Sequence, residues 1–271
     1  MRIGPEIAGF MYHEVTDQPR ESGFQRPGAV PYTLSRAAFA QHLEQFRAGS
    51  PTPELVTAID LTRPARHLLL TFDDGGRSAV YVGDQLARLG WRGHFFVVTG
   101  RIGQSTFLDP GQIRYLHGCG HLIGSHSHSH PDIFRDLPRV RMVEEWRVSR
   151  DLLEQILGEP CPVASVPGGD ISPAVGVSAG EAGLRFLFTS EPWLAPRLAG
   201  GCWLLGRYIV KAATSPATVR ELSQFRGWGR ARLIRRLKLT ARWSLPPLYR
   251  LYVRWTTAER SGTAGAGSLR A

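Results

Sequence analysis

The chain has 271 residues, with 33 Lys and Arg against 23 Asp and Glu, 42% apolar residues and 21% charged ones, which excludes a wholly disordered chain. That length allows one large domain or two small ones, and no run approaches the roughly 20 apolar residues needed to span a bilayer. Cys119, Cys161 and Cys202 are scattered and odd in number, which argues against a disulfide framework and for a reducing compartment. No secretory-length apolar run follows Met1, so the expectation is a cytoplasmic α/β protein.

In chain order, the first buried-strand pattern is Ile7–Tyr12. Ser35 then caps a helical pattern in which Phe39, Leu43 and Phe46 recur. A second strand, His67–Phe72, is followed by a helix over Ser78–Leu89 that stops at Gly90. His94–Val98 is the third strand, and Asp109-Pro110 opens a helix with Ile113 and Leu116 inward. His121–Gly124 is the fourth strand, and the longest helix runs from about Pro138 to Leu157, ending at Gly158. Val163–Val166, Phe186–Thr189 and Leu204–Val210 complete seven strands. Strands alternating with helices imply a parallel sheet, as a barrel or doubly wound, with its chemistry at the C-terminal strand ends.

The positive charge is concentrated. Residues 222–258 hold nine Lys or Arg and no Asp or Glu, residues 259–271 add a net +1, and residues 1–221 are neutral by difference from +10. Ser215-Pro216 punctuates the change, dividing the chain into a body (1–215), a basic extension (216–258) and a small polar tail (259–271). Within the extension Leu233, Ile234, Leu237 and Ala241 share one helical face, with Arg232, Arg235, Lys238 and Arg242 around it. After Pro246-Pro247, Leu248, Leu251, Tyr252 and Trp255 repeat the pattern, with Arg250 and Arg254 on another face. Such segments either pack on the body with a solvated basic side or lie on an anionic membrane; nucleic acid is disfavoured.

The sharpest motif follows the second strand: Leu69-Leu-Thr-Phe-Asp73-Asp74-Gly75-Gly76. Adjacent carboxylates ending an apolar strand are poorly explained by packing, because buried charge is costly unless paired or metal-bound. Near one cation they can divide the work, one as ligand and one as proton acceptor; the alternative is a polar turn. The fourth strand ends in Gly124-Ser-His126-Ser-His128-Ser-His130-Pro131, where one helical turn would put His126 and His130 on one side and leave His128 pointing away. Two imidazoles and a carboxylate suit zinc or a similar divalent ion. In a parallel α/β fold both motifs fall on the same rim.

Together, Thr71-Phe-Asp-Asp-Gly75 and His126-Ser-His-Ser-His130-Pro131 resemble the polysaccharide deacetylase (NodB homology) family, carbohydrate esterase family 4. His94–Val98 and Gly120–Ser125 are similar too, so the resemblance spans roughly residues 5–212. It implies a deformed (β/α)7 barrel and metal-assisted hydrolysis of N-acetyl groups on an amino sugar, with Asp73 as base and Asp74, His126 and His130 as ligands of a divalent metal, zinc by default. Three departures stand out. Ser165 occupies the place of the family's base-orienting Arg, and Arg207 on the last strand is the candidate substitute. No histidine lies beyond position 130, so the family's late His is missing. Met11-Tyr-His13-Glu-Val15 resembles the circularly permuted poly-N-acetylglucosamine deacetylase branch and would make His13 the general acid. Trp193, in a loose match to the fourth motif, joins Arg207 as a candidate sugar-site residue. The rival reading is a sugar-binding barrel that keeps the metal but has lost turnover, or hydrolysis of another amide or ester.

Overall fold

A computed structural model describes residues 4–49, 51–169 and 171–244, with side chains described to Leu237 in the last helix. In chain order its elements are β1 (Glu6–Tyr12), β2 (Glu14–Val15), β3 (Thr33–Leu34), α1 (Arg36–Arg47), β4 (Arg66–Phe72), α2 (Ser78–Arg88), β5 (His94–Val97), α3 (Pro110–Gly118) and β6 (Leu122–Ser125). They continue with α4 (Arg139–Leu157), β7 (Val163–Ser165), α5 (Pro173–Glu181), β8 (Phe186–Phe188), β9 (Arg197–Ala199), β10 (Cys202–Leu205), β11 (Tyr208–Ile209), α6 (Pro216–Ser223) and α7 (Trp228–Ser244). The second basic pattern, Leu248–Trp255, and the tail 259–271 lie outside the described residues.

The helix boundaries follow local chemistry. Ser35 Oγ accepts from the Ala38 N–H at the start of α1, Asp109 and Gln112 form a reciprocal capping box on α3, and Gly158 ends α4 with φ 74°. Along α4, Met142, Trp146, Ser149 and Leu153 recur on the buried face.

Among the described residues the main sheet has the order β11-β1-β4-β5-β6-β7-β8-β10-β9, parallel except for β9. The single strand expected over Leu204–Val210 is broken. β10 pairs with β8 while β11 pairs with β1, so the chain passes from one end of the sheet to the other at Gly206-Arg207. That crossing closes the curled sheet into the expected deformed barrel. Glycine is required at 206, where a Cβ would stand 2.2 Å from the Trp193 carbonyl oxygen and 2.6 Å from that of Glu191.

Alternation along the strands sorts side chains between two cores. Ala8, Phe10, Tyr12, Leu68, Leu70 and Phe72 face the surrounding helices. Ile7, Leu69, Phe96, Val163, Phe186, Phe188 and Leu205 fill the barrel interior. α6 and the first turn of α7 bury Val219, Leu222 and Trp228 in the helix-side core with Phe10 and Phe46. The change in composition at residue 215 therefore marks the start of the basic stretch, while the core continues beyond it.

Candidate active site

The inward parity of each strand carries a polar group to the C-terminal rim. Ile7, Gly9 and Met11 lead to His13; Leu69 and Thr71 lead to Asp73; Val163 leads to Ser165; Leu205 leads to Arg207. An apolar floor thus carries a layer of titratable side chains, in the place where parallel barrels keep their chemistry.

Asp73 is the most heavily held of these groups. Arg207 grips it through both carboxylate oxygens, Nη1 to Oδ1 at 2.7 Å and Nη2 to Oδ2 at 2.9 Å. Ser165 Oγ donates to Oδ2 at 2.9 Å and accepts from Arg207 Nη2 at 2.6 Å. Arg207 is fully buried, at 0% exposure, and also bonds Thr71 Oγ1 and the Thr189 carbonyl. Burial pushes the Asp73 carboxyl up, but the Arg207 guanidinium and the neighbouring His126 outweigh it and hold the group below its ordinary value. The substitute for the missing motif arginine therefore enters from the strand crossing, with Ser165 as its bridge. Arg207, with no exposed surface and its guanidinium engaged by Asp73, Ser165, Thr71 and Thr189, is placed to orient Asp73.

Asp74 turns the opposite way. Its φ of 77° is left-handed, a conformation Asp tolerates better than most residues, and Gly75 follows at φ 76°, where a Cβ would be strained and would sit a tight 3.1 Å from Val97. The turn brings Asp74 Oδ1 to 3.4 Å from His126 Nε2 and 3.6 Å from His130 Nε2. One ligand atom from each of these three residues lies within 4.8 Å of the others.

The histidine loop converges without the helical turn that the spacing predicts. Ser127 and His130 both have positive φ, 62° and 55°. Hydroxyls hold the turn: Ser125 Oγ accepts from Ser127 N and Ser127 Oγ accepts from His130 N. Glu145, reaching up from α4, accepts the N–H groups of His128 and Ser129 and the Ser129 hydroxyl at 2.7–2.9 Å. His128 points away, its Nδ1 3.0 Å from Thr99 Oγ1.

This donor set fits a divalent cation. The His126 Nδ1 donates to the Ser165 carbonyl at 2.9 Å, and its Nε2 faces Asp74 Oδ1 at 3.4 Å. Burial lowers the ring's pKa, but the Asp73 and Asp74 carboxylates outweigh it and raise it, so a cation would take the place of the Nε2 proton. Burial, then the neighbouring His126, lowers the His130 pKa to about 3, keeping that ring neutral. Arg26 Nη2 lies 3.4 Å from its Nδ1, too far for a strong hydrogen bond, and acts there mainly as a charge. For Asp74, burial raises the pKa, but hydrogen bonding from His126 brings it far below the ordinary value.

His13 lines the same cavity, about 140 Å³ in volume, with Asp73, Asp74, His126 and His130. Its Nδ1 is buried without a partner, its ring lies 4.7 Å from that of Tyr32, and burial lowers its pKa. The segment between β2 and β3, unread in the sequence, forms the opposite wall through Phe24, Arg26, Gly28, Ala29 and Tyr32. Trp193 is not brought to this cavity. Its backbone and ring pack against Gly206 and the Arg197 guanidinium lies 3.9 Å over its face, because the residue 191–194 loop runs along the barrel seam. Glu14, Glu145 and Arg26 carried no signal in the sequence beyond being charges inside otherwise apolar or helical patterns.

Residues 60–187 match the family model for polysaccharide deacetylase. This segment belongs to that family. Over 199 residues the chain is 26% identical to the peptidoglycan-N-acetylglucosamine deacetylase PgdA of Listeria monocytogenes, covering 73% of this chain and 40% of that protein. The chain thus spans about two fifths of the length of the curated relatives it matches. A polysaccharide deacetylase from Bacillus cereus superposes with a TM-score of 0.69 at 17% identity, covering 81% of this chain and 69% of that one. IcaB from Ammonifex degensii gives 0.65 at 22%, covering 82% and 98%. At these identities the two structures speak for the fold alone.

Proposed function

We propose that this polysaccharide deacetylase-family protein removes the N-acetyl group from an amino sugar by divalent-metal-assisted hydrolysis. The observation that carries the reading is the juxtaposition of an Arg207-clamped Asp73 with the Asp74–His126–His130 triplet in one buried cavity. A divalent cation, zinc by default for this ligand set, would supply Lewis acidity toward the acetyl carbonyl and make water nucleophilic near neutral pH. Asp73 accepts the proton of the attacking water; Arg207 and Ser165 keep it ionised and fix both its oxygens. His13 lines the same cavity as the Asp73 and Asp74 carboxylates, which favour its protonated form against burial, and in that form it donates a proton to the amine nitrogen as the C–N bond breaks, releasing acetate and the free amine. Phe24 and Tyr32 give the cavity an aromatic wall.

The rival reading, a sugar-binding barrel without turnover, drew support from Ser165 in the place of the motif arginine. The Arg207–Ser165 clamp answers that departure with the same charge on the same carboxylate. The decisive assay is acetate release from N-acetylglucosamine oligomers with and without chelator. The proposal expects chelator-sensitive release that falls at least about a thousandfold in Asp73→Asn. Sugar and metal binding with no acetate from the wild type would favour the rival.

A further inference from the structure

α7 is a surface helix with its polarity reversed. Trp228, Ala231 and Arg235 face the body: Trp228 Nε1 donates to the Leu222 carbonyl and its ring meets Phe10 edge-on. Arg235, 8% exposed, donates to Glu191 Oε1 at 2.8 Å. A half-turn away, Leu233 and Leu237, four residues apart, are 59% and 64% exposed, with exposed Arg230 and Arg232 beside them. Ordinary amphipathic helices bury that ridge.

The geometry points to an anionic lipid surface as the occupant of this ridge. Charge complementarity makes the choice. The stretch 222–258 has nine basic residues and no acidic one, so a second copy of the face, or residues 245–258 with Arg250 and Arg254, would set like charges against it. Nucleic acid would satisfy the arginines but offer the leucines no apolar phase. Lipid headgroups and acyl chains supply both, as they do for interfacial helices, and an anionic leaflet such as the cytoplasmic one is the surface proposed. No helix among the described residues is long and apolar enough to cross a membrane, so α7 would lie along the surface.

The placement bears on the substrate. Ala231, Ile234 and Arg235 of the same helix line a cavity of about 200 Å³ with Tyr32, Ile209 and Lys211. Tyr32 and Ile209 also line the catalytic cavity. Docking would therefore hold the wall shared with the catalytic cavity about a helix diameter from the headgroups, which suits an amino sugar carried by a lipid. This last step rests on the deacetylase reading; the docking does not.

Flotation of the full chain with vesicles tests it. The protein is expected to rise with phosphatidylcholine–phosphatidylglycerol vesicles, not with phosphatidylcholine alone, and Leu233→Ser/Leu237→Ser should lower the bound fraction about tenfold or more at unchanged thermal melting. No flotation, or equal flotation of the variant, overturns the proposal. So does a dimer in gel filtration that the variant dissociates, or duplex DNA bound equally by both forms. A wild type that floats but releases no acetate from N-acetylglucosamine oligomers would overturn the deacetylase reading and leave docking standing, so the two readings fail separately.

Discussion

Replacing Arg207 with Met removes the buried cation while keeping most of its volume. Asp73, at 3% exposure, would keep one hydroxyl donor from Ser165 and lose both guanidinium contacts. Breaking a buried pair by deleting one partner costs about 3–5 kcal/mol, because the remaining charge has no solvent to receive it. For a chain of this size that lowers the Tm by on the order of 10 °C. Adding Asp73→Asn removes the stranded charge, so the double variant should recover at least about 2 kcal/mol relative to the single one. Urea and thermal unfolding of the metal-free proteins by circular dichroism measure the cycle directly. A double variant no more stable than Arg207→Met, or an Arg207→Met within about 1 kcal/mol of the wild type, would refute the assignment of Arg207 as the clamp of Asp73.

Burial pushes the Glu14 carboxyl from 4.5 up to about 7, against the pull of the Ser22 and Ser78 hydroxyls, and its Oε1 is buried without a partner. A raised acid binds its proton more tightly folded than unfolded, so its destabilisation begins above about pH 4.5 and is complete above about 7. Glu14→Gln should therefore match the wild type near pH 4 and exceed it at pH 8 by at most about 3 kcal/mol; a gap that does not widen with pH would count against it. Glu145→Ala deletes the three hydrogen bonds that shape the histidine loop and should weaken metal binding about 10–100-fold in calorimetric titration, whereas an unchanged affinity would show the loop holds itself. His13→Ala should retain metal yet lose about a hundredfold or more in kcat; parallel losses of metal and activity would assign it a ligand's role instead.

Much of the site was legible in strand parity. His13, Asp73, Ser165 and Arg207 each lie an even number of residues from an interior apolar neighbour, so their direction followed once the strands were placed. What parity cannot show is where a strand changes partners. Leu204–Val210 reads as one apolar run, and only the close approach of Gly206 to Trp193 and Glu191 divides it. The same seam draws Trp193 away from the cavity, although its motif-like Glu191-Pro192 setting pointed toward it. The histidine spacing was right about which rings meet and wrong about how, since alternate serines with positive φ at Ser127 do the work expected of a helix. Glu145 and the wall at Phe24–Tyr32 depend on tertiary approach, which no local pattern records.

Metal content per chain, measured after exhaustive dialysis for the wild type and for Asp74→Ala, bears most directly on the account. One tightly held divalent ion in the wild type and none in the variant is the predicted result. A wild type that retains no ion, or a variant that retains as much, would contradict it.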